Sequence, residues 1–367
     1  MSDPRLEKLA QTLVDYCAAV KPGDKVIIMG ELSGLPLIRE VYQRAILAGG
    51  LIVLALEDEA ATDFLKRHGS DAQLESISPD ARYRSEEADS SIFIRSTSNT
   101  RRSTTLDPSR EAVFNRARSP LGRTRAERTN NGAHRWTLTQ FPTDAYAQEA
   151  DMSLTEFEDF VYRATFSDQA DPIQRWRDLG THQQKYVDWL KGHRQVVVHG
   201  PNIDLTLDIS ERTFINSDGK RNMPSGEIFT GPVEQSVNGW VRFTYPAIHG
   251  GRQVEGVELH FEQGKVTQAT ARKNQDFLLA ELDSDAGARY LGEFAIGTNY
   301  GIDRFTGNIL FDEKIGGTLH MALGNGYLET GSKNQSTIHW DMICDMRQDS
   351  EIVIDGELFY KNGQFVL

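Results

Sequence analysis

Leu6, Leu9, Leu13, Cys17 and Val20 recur every three or four residues, the spacing of an amphipathic helix, and Pro22-Gly23 marks its end. Lys25–Met29 then reads as a buried strand, followed by a helical stretch to Ala48, a Gly49-Gly50 break and a strand over Leu51–Leu56. Ser91–Arg95 adds a third strand of the same kind. Strands alternating with helices predict an α/β architecture with a doubly wound, mostly parallel sheet. Ser153 and Glu156 have the spacing of a capping box, which predicts a helix over Leu154–Ala164. A second helix is expected over Ile173–Leu190, ending near Gly192.

Beyond that glycine the pattern changes period. Gln195–His199, Ile203–Ile209 and Ser236–Tyr245 are short, alternating and β-branched, and Gly256–Glu262 with Lys265–Arg272 reads as a hairpin turning at Gln263-Gly264. A last hairpin turns at Asn362-Gly363, and one helix is expected near Gln275–Leu282. The chain therefore divides in expectation into an α/β domain, 1–192, and a mainly antiparallel, barrel-like α+β domain, 193–367. The total length of 367 residues fits two cores better than one.

Composition removes several classes of function. A formal net charge of −13 argues against general nucleic-acid binding, which needs clustered cations. The ten arginines between residues 95 and 135 are a local exception, read as a solvated or intersubunit surface. No Gly-x-Gly-x-x-Gly follows the first strand, and Glu31 in its turn would repel a pyrophosphate, so a dinucleotide site is not expected. Cys17 and Cys344 are too few and too far apart for a disulfide framework or a Cys-based zinc site. The N-terminus lacks the apolar core of a signal peptide, and the longest aliphatic run is far short of a membrane span. A cytoplasmic, soluble protein is the expectation.

The chemistry-bearing residues concentrate in the second half. His339 and Asp341, one residue apart on a strand, leave the same face. Glu227 follows the Pro224-Ser225-Gly226 turn, Glu293 follows Gly292, and His320 lies in another strand-like run. Taken singly, each has an ordinary structural explanation, such as a satisfied histidine or a turn carboxylate. Taken together, three carboxylates and two imidazoles suit two divalent cations about 3.5–4 Å apart, a site type used for hydrolysis.

Ordered stretches give the set a family context. Arg135-Trp136-Thr137, Phe141-Pro142-Thr143, Met223 to Thr230, Gly292-Glu293, Leu310 to Glu313, His320 to Gly324 with Tyr327, and Ser336 to Met342 together resemble the thermophilic-type metalloaminopeptidases of family M29. The resemblance implies an exopeptidase that removes the N-terminal residue of short peptides. It implies Glu227, Glu293, His320, His339 and Asp341 as ligands of two divalent ions, zinc or cobalt, with manganese or magnesium as further options. It implies Tyr327 as the catalytic tyrosine, with Glu227 and Glu293 as candidates for bridging ligand and general base. A homodimer enclosing a chamber for short unfolded peptides is also implied. Two departures stand out: Lys314 replaces the usual Asn after Phe-Asp-Glu, and few residues separate His320 from His339. Both bear on specificity more than on the metal ligands.

Two alternatives remain. A related branch resembles the mononuclear iron dioxygenases that open dihydroxypyridine rings, but there an apolar residue stands in place of Glu227 and a His in place of Glu293. The other is a non-catalytic, metal-binding relative.

Overall fold

Val26, Ile27 and Ile28 are fully buried, which fixes Lys25–Glu31 as an interior strand. In the computed structural model, which describes residues 3–367, it is one of five parallel strands. Their order across the sheet is Leu51–Glu57, Lys25–Glu31, Ser90–Arg95, Arg135–Gln140 and Asn222–Met223. Helix Pro4–Gln11, continued by a π-wound turn over Thr12–Cys17, buries Leu6, Leu9, Leu13 and Cys17, the stripe expected from its spacing. Helix Leu35–Leu47 buries Leu37, Ile38 and Val41 in the same way. Helix Leu154–Ala164 begins in the predicted capping box: Ser153 Oγ accepts from the Glu156 backbone N–H at 3.3 Å, and the Glu156 carboxylate accepts from the Ser153 N–H at 2.9 Å. Among the described residues, this unit runs from the N-terminal side to Arg175 and includes Gly219–Pro224.

Two features of the unit were not expected. Leu51–Glu57 is an edge strand with Leu51, Leu54 and Leu56 exposed. The Arg-rich stretch is largely one helix, Pro108–Asn130, capped by Asp107 and burying no residue. Several of its arginines act as carbonyl clamps: Arg110 Nε donates to Lys66 O at 2.6 Å, and Arg118 Nη1 to Leu74 O at 2.8 Å. They satisfy the open ends of the short helices Glu59–His68 and Asp71–Glu75.

The second unit, Trp176–Asp218 with Ser225–Leu367, contains two large antiparallel sheets and a two-stranded ribbon, Ala247–His249 with Arg252–Val254. One has eight strands: Lys265–Thr270, Glu258–Glu262, Asn238–Arg242, Ile203–Asp208, Gln195–Gly200, Glu351–Ile354, Glu357–Lys361 and Gln364–Phe365. The other has five: His339–Asp345, Thr318–Gly324, Leu291–Gly297, Glu227–Thr230 and Ile215–Ser217. Both have free edges, so the expected barrel-like domain is built from open sheets and no barrel closes. Val198, Leu205, Leu259 and Ile352 from the first sheet join Phe294, Met321, Trp340 and Met342 from the second in a shared apolar cluster. The predicted hairpin turns form: Gln263-Gly264 and Asn362-Gly363 both take positive φ at both positions, the backbone of tight two-residue hairpins. Helix Gln275–Leu282 falls where expected.

Candidate metal centre

The five-stranded sheet has two chemically distinct faces. Phe294, Ile296, Leu319, Met321, Leu323, Trp340, Met342 and Cys344 point into the apolar cluster. Successive side chains alternate across a strand, so residues 293, 295, 297, 320, 322, 324, 339 and 341 share the opposite face. Pairing aligns them: Glu293 stands opposite Ala322, which stands opposite Asp341, while His320 is opposite Ala295, Glu227 opposite Gly297 and His339 opposite Gly324. The intervening partners are all Ala or Gly. Large carboxylate and imidazole side chains are thereby set among residues too small to fill the space between them.

All five sequence-predicted ligands come together there. His320 Nε2 lies 3.3 Å from Glu227 Oε2 and 3.7 Å from Glu293 Oε1, and His339 Nε2 lies 3.2 Å from Glu293 Oε2 and 3.4 Å from Asp341 Oδ1. These atoms are close yet out of hydrogen-bond alignment in part: Glu227 Oε2, His320 Nε2 and Asp341 Oδ1 are buried without a hydrogen-bond partner. Buried polar atoms without partners are costly. Donors that converge on a common space, with several of them lacking hydrogen bonds, fit a cation. Three groups have donor atoms within 4.8 Å of one another: Glu227, Glu293 and His320; Glu293, His339 and Asp341; and Glu313, His320 and Asp341.

Surrounding contacts orient this set. His339 Nδ1 donates to the Asn325 carbonyl at 2.7 Å, which leaves Nε2 facing the carboxylates, as a ligating imidazole requires. The Gln183 amide donates to the Glu227 carbonyl at 3.1 Å while accepting from Thr298 Oγ1 at 2.7 Å, which ties the Glu227 strand to helix Pro172–Leu190. Gly324, with φ of +96°, turns the chain into the loop that carries Asn325 and Tyr327; a Cβ there would lie 2.3 Å from the Ile338 carbonyl.

Electrostatics follow from crowding. Burial acts to lower the His339 pKa, but the negative charge of the nearby Asp341, with that of Glu293, prevails and raises it to about 11. His320 is raised as well, burial again being outweighed by Glu293 and Glu227. Asp341 is lowered to about 2: burial opposes this, and the His339 charge overcomes it. Without a cation, protons on the imidazoles take up part of the negative charge. Tyr327 has its ring edge toward His339, with centroids 5.2 Å apart, and it also meets Phe229 at 5.4 Å. Desolvation, then the Glu293 and Asp341 charges, push its phenol well above the ordinary range, so it stays a neutral O–H donor.

Two residues in the centre were not identified from sequence. Glu313 supplies a donor atom to one of the three groups. Lys314, expected to bear on specificity more than on the ligands, is instead 1% exposed, with Nζ 3.0 Å from Glu227 Oε1 and in contact with Glu313. The short helix Ile309–Asp312 brings both in. Asn308 caps this helix, and buried Asp312, whose pKa desolvation raises to about 7, accepts from Thr306 N at 2.7 Å. Neither residue lies on a strand of the sheet, so no two-residue alternation reveals it. The Phe-Asp-Glu stretch was the one available signal.

A model of the thermophilic metalloprotease family (M29) matches residues 2–365. The chain belongs to that family. This M29 protein is 27% identical to Aminopeptidase 2 of Geobacillus stearothermophilus, over 96% of its own length and 94% of the relative's. It is 29% identical to Aminopeptidase T of Thermus thermophilus, over 62% of each chain. Among solved structures, wild-type AmpT from Thermus thermophilus superposes with a TM-score of 0.83 at 22% identity, covering 99% of both chains. The 2,5-dihydroxypyridine dioxygenase of Pseudomonas putida KT2440 superposes at 0.58 with 13% identity, over 98% of this chain and 96% of that one, a likeness of fold alone.

Proposed function

We propose that this M29 metalloprotease is an aminopeptidase that hydrolyses the N-terminal residue from short peptides, holding two divalent ions, zinc or cobalt. Glu227, Glu293, His320, His339 and Asp341 would bind them, with Glu313 as a further donor. When bound, such ions supply a hydroxide nucleophile near neutral pH, polarise the scissile carbonyl and hold a substrate's free α-amine. Glu293 and Asp341 each belong to two of the donor groups, and of these Glu293 is the candidate we take as the shared carboxylate. Glu227 is the remaining candidate to accept the proton of the attacking water. The Tyr327 phenol, kept neutral by its surroundings, donates to the oxyanion of the tetrahedral intermediate.

The observation that carries this reading is the cluster of partnerless carboxylate and imidazole atoms on one sheet face. A ring-opening iron site needs two His and a single carboxylate with open positions. Four carboxylates gather here, which favours hydrolysis. A homodimer in the cytoplasm, acting on peptides small enough to reach a shared chamber, is part of the same proposal, as is the assignment of 1–192 to an α/β domain and 193–367 to catalysis. It is supported by all of the candidate ligands lying after residue 192. Among the described residues no helix is long and apolar enough to cross a membrane.

The test is to add cobalt or zinc to metal-free protein with a leucyl chromogenic amide, an N-acetylated counterpart and a dihydroxypyridine. Release from the free-amine substrate alone, with two ions per chain at saturation, is expected. Oxygen uptake with the dihydroxypyridine, or metal binding with no turnover, would defeat the proposal.

A further inference from the structure

Lys314 is a fully buried lysine, and such a side chain is held only where carboxylates neutralise it. Its two partners, Glu227 and Glu313, are the same residues that contribute to two of the three donor groups. Among the described residues, it makes no ion pair with Glu293, His339 or Asp341, the remaining group. The ammonium thus occupies one side of the centre and leaves the other open.

The backbone that carries it is fixed. Lys314 N donates to Phe311 O at 3.0 Å, and Lys314 O accepts from Asn299 N at 3.0 Å. The next residue packs so closely that a Cβ on Gly297 would lie 2.2 Å from the Ile315 carbonyl. Any movement of the charge must therefore come from the side chain's own torsions.

We propose that Lys314 is a built-in cation that competes with divalent metal for Glu227 and Glu313, making the two metal positions unequal. The Glu293–His339–Asp341 position fills first, with the lysine in place. The position that draws on Glu227 and Glu313 fills only as the ammonium gives up those oxygens. This rests on the metal-centre reading above and adds an order of loading to it, so the protein passes through a one-metal form that a neutral residue at position 314 would not impose.

The experiment is calorimetric titration of metal-free, full-length protein with cobalt and with zinc, together with metal content after gel filtration. Wild type should retain one ion per chain, with a second binding about 10–100-fold more weakly, the range over which groups flanking a metal site change affinity. Lys314→Asn should retain two ions of similar affinity. Lys314→Met, which keeps the volume and removes the charge, guards against a folding defect in the first variant. Two equally tight ions in wild type, or stepwise binding unchanged in both variants, overturns the proposal. No binding by wild type or either variant would instead refute the metal centre itself.

Discussion

Replacing Tyr327 with Phe isolates one hydroxyl. The ring's contacts with Phe229 and His339 are made by carbon and survive the change. Among the described residues the phenol makes no hydrogen bond in the resting protein, and the residue is 43% exposed, so folding should be unaffected. Tyr327 is not among the five proposed ligands, so metal content should also hold. What disappears is one donor aimed at charge that develops only in the transition state. One such donor contributes about 2.7–4 kcal/mol. At about 1.36 kcal/mol per factor of ten, kcat should fall by about 100- to 1,000-fold with KM nearly constant. Steady-state kinetics on a leucyl amide, beside metal analysis of the same samples, measures this. An unchanged kcat, or a lower rate explained by lost metal, would refute the oxyanion role.

Other expectations concern the centre and its supports. His339→Ala should lose metal and activity together, because it removes a proposed ligand, an imidazole oriented by the Asn325 carbonyl; elemental analysis of the purified variant checks this. In chelator-treated protein, the raised His339 pKa favours the folded state fully below pH 6.5 and loses that effect as pH climbs toward about 11. The lowered Asp341 pKa acts the other way, favouring the fold above 3.8 and failing as pH drops toward about 2. The two belong to one ion pair, so the melting temperature of metal-free protein should decline at both ends without the effects adding. Gly297→Ala should destabilise by about 1–3 kcal/mol, because its Cβ would collide with the Ile315 carbonyl; urea unfolding reads the loss.

The legible parts of the chain were those where burial imposes a period. Val26, Ile27 and Ile28 announce an interior parallel strand, and the 3.6-residue stripe from Leu6 to Cys17 announces its helix. His339 and Asp341 were legible as a same-face pair because a strand repeats every two residues. Helix Pro108–Asn130 was not, since a helix that buries nothing has no apolar stripe to detect. The exposure of Leu51–Glu57 also escaped, because hydrophobic sequence marks a strand but not whether it sits at an edge. Glu313 and Lys314 reach the centre from a short helix beside the sheet, through contacts with Gly297 and Asn299 at the end of the preceding strand, which no local periodicity reveals.

The face-sharing of the five-stranded sheet also sets when a nascent chain can acquire its ions. Glu227 and Asp341 are more than a hundred positions apart along the polypeptide, yet they face one centre only after the two strands between them, Leu291–Gly297 and Thr318–Gly324, have docked in register. A slip of one residue in any of those strands would send its ligands into the oily interior. Capture of the cation must therefore come late in biogenesis, once nearly the whole chain has emerged from the ribosome. Bound metal then marks molecules whose long-range assembly succeeded, and misregistered ones are left without it.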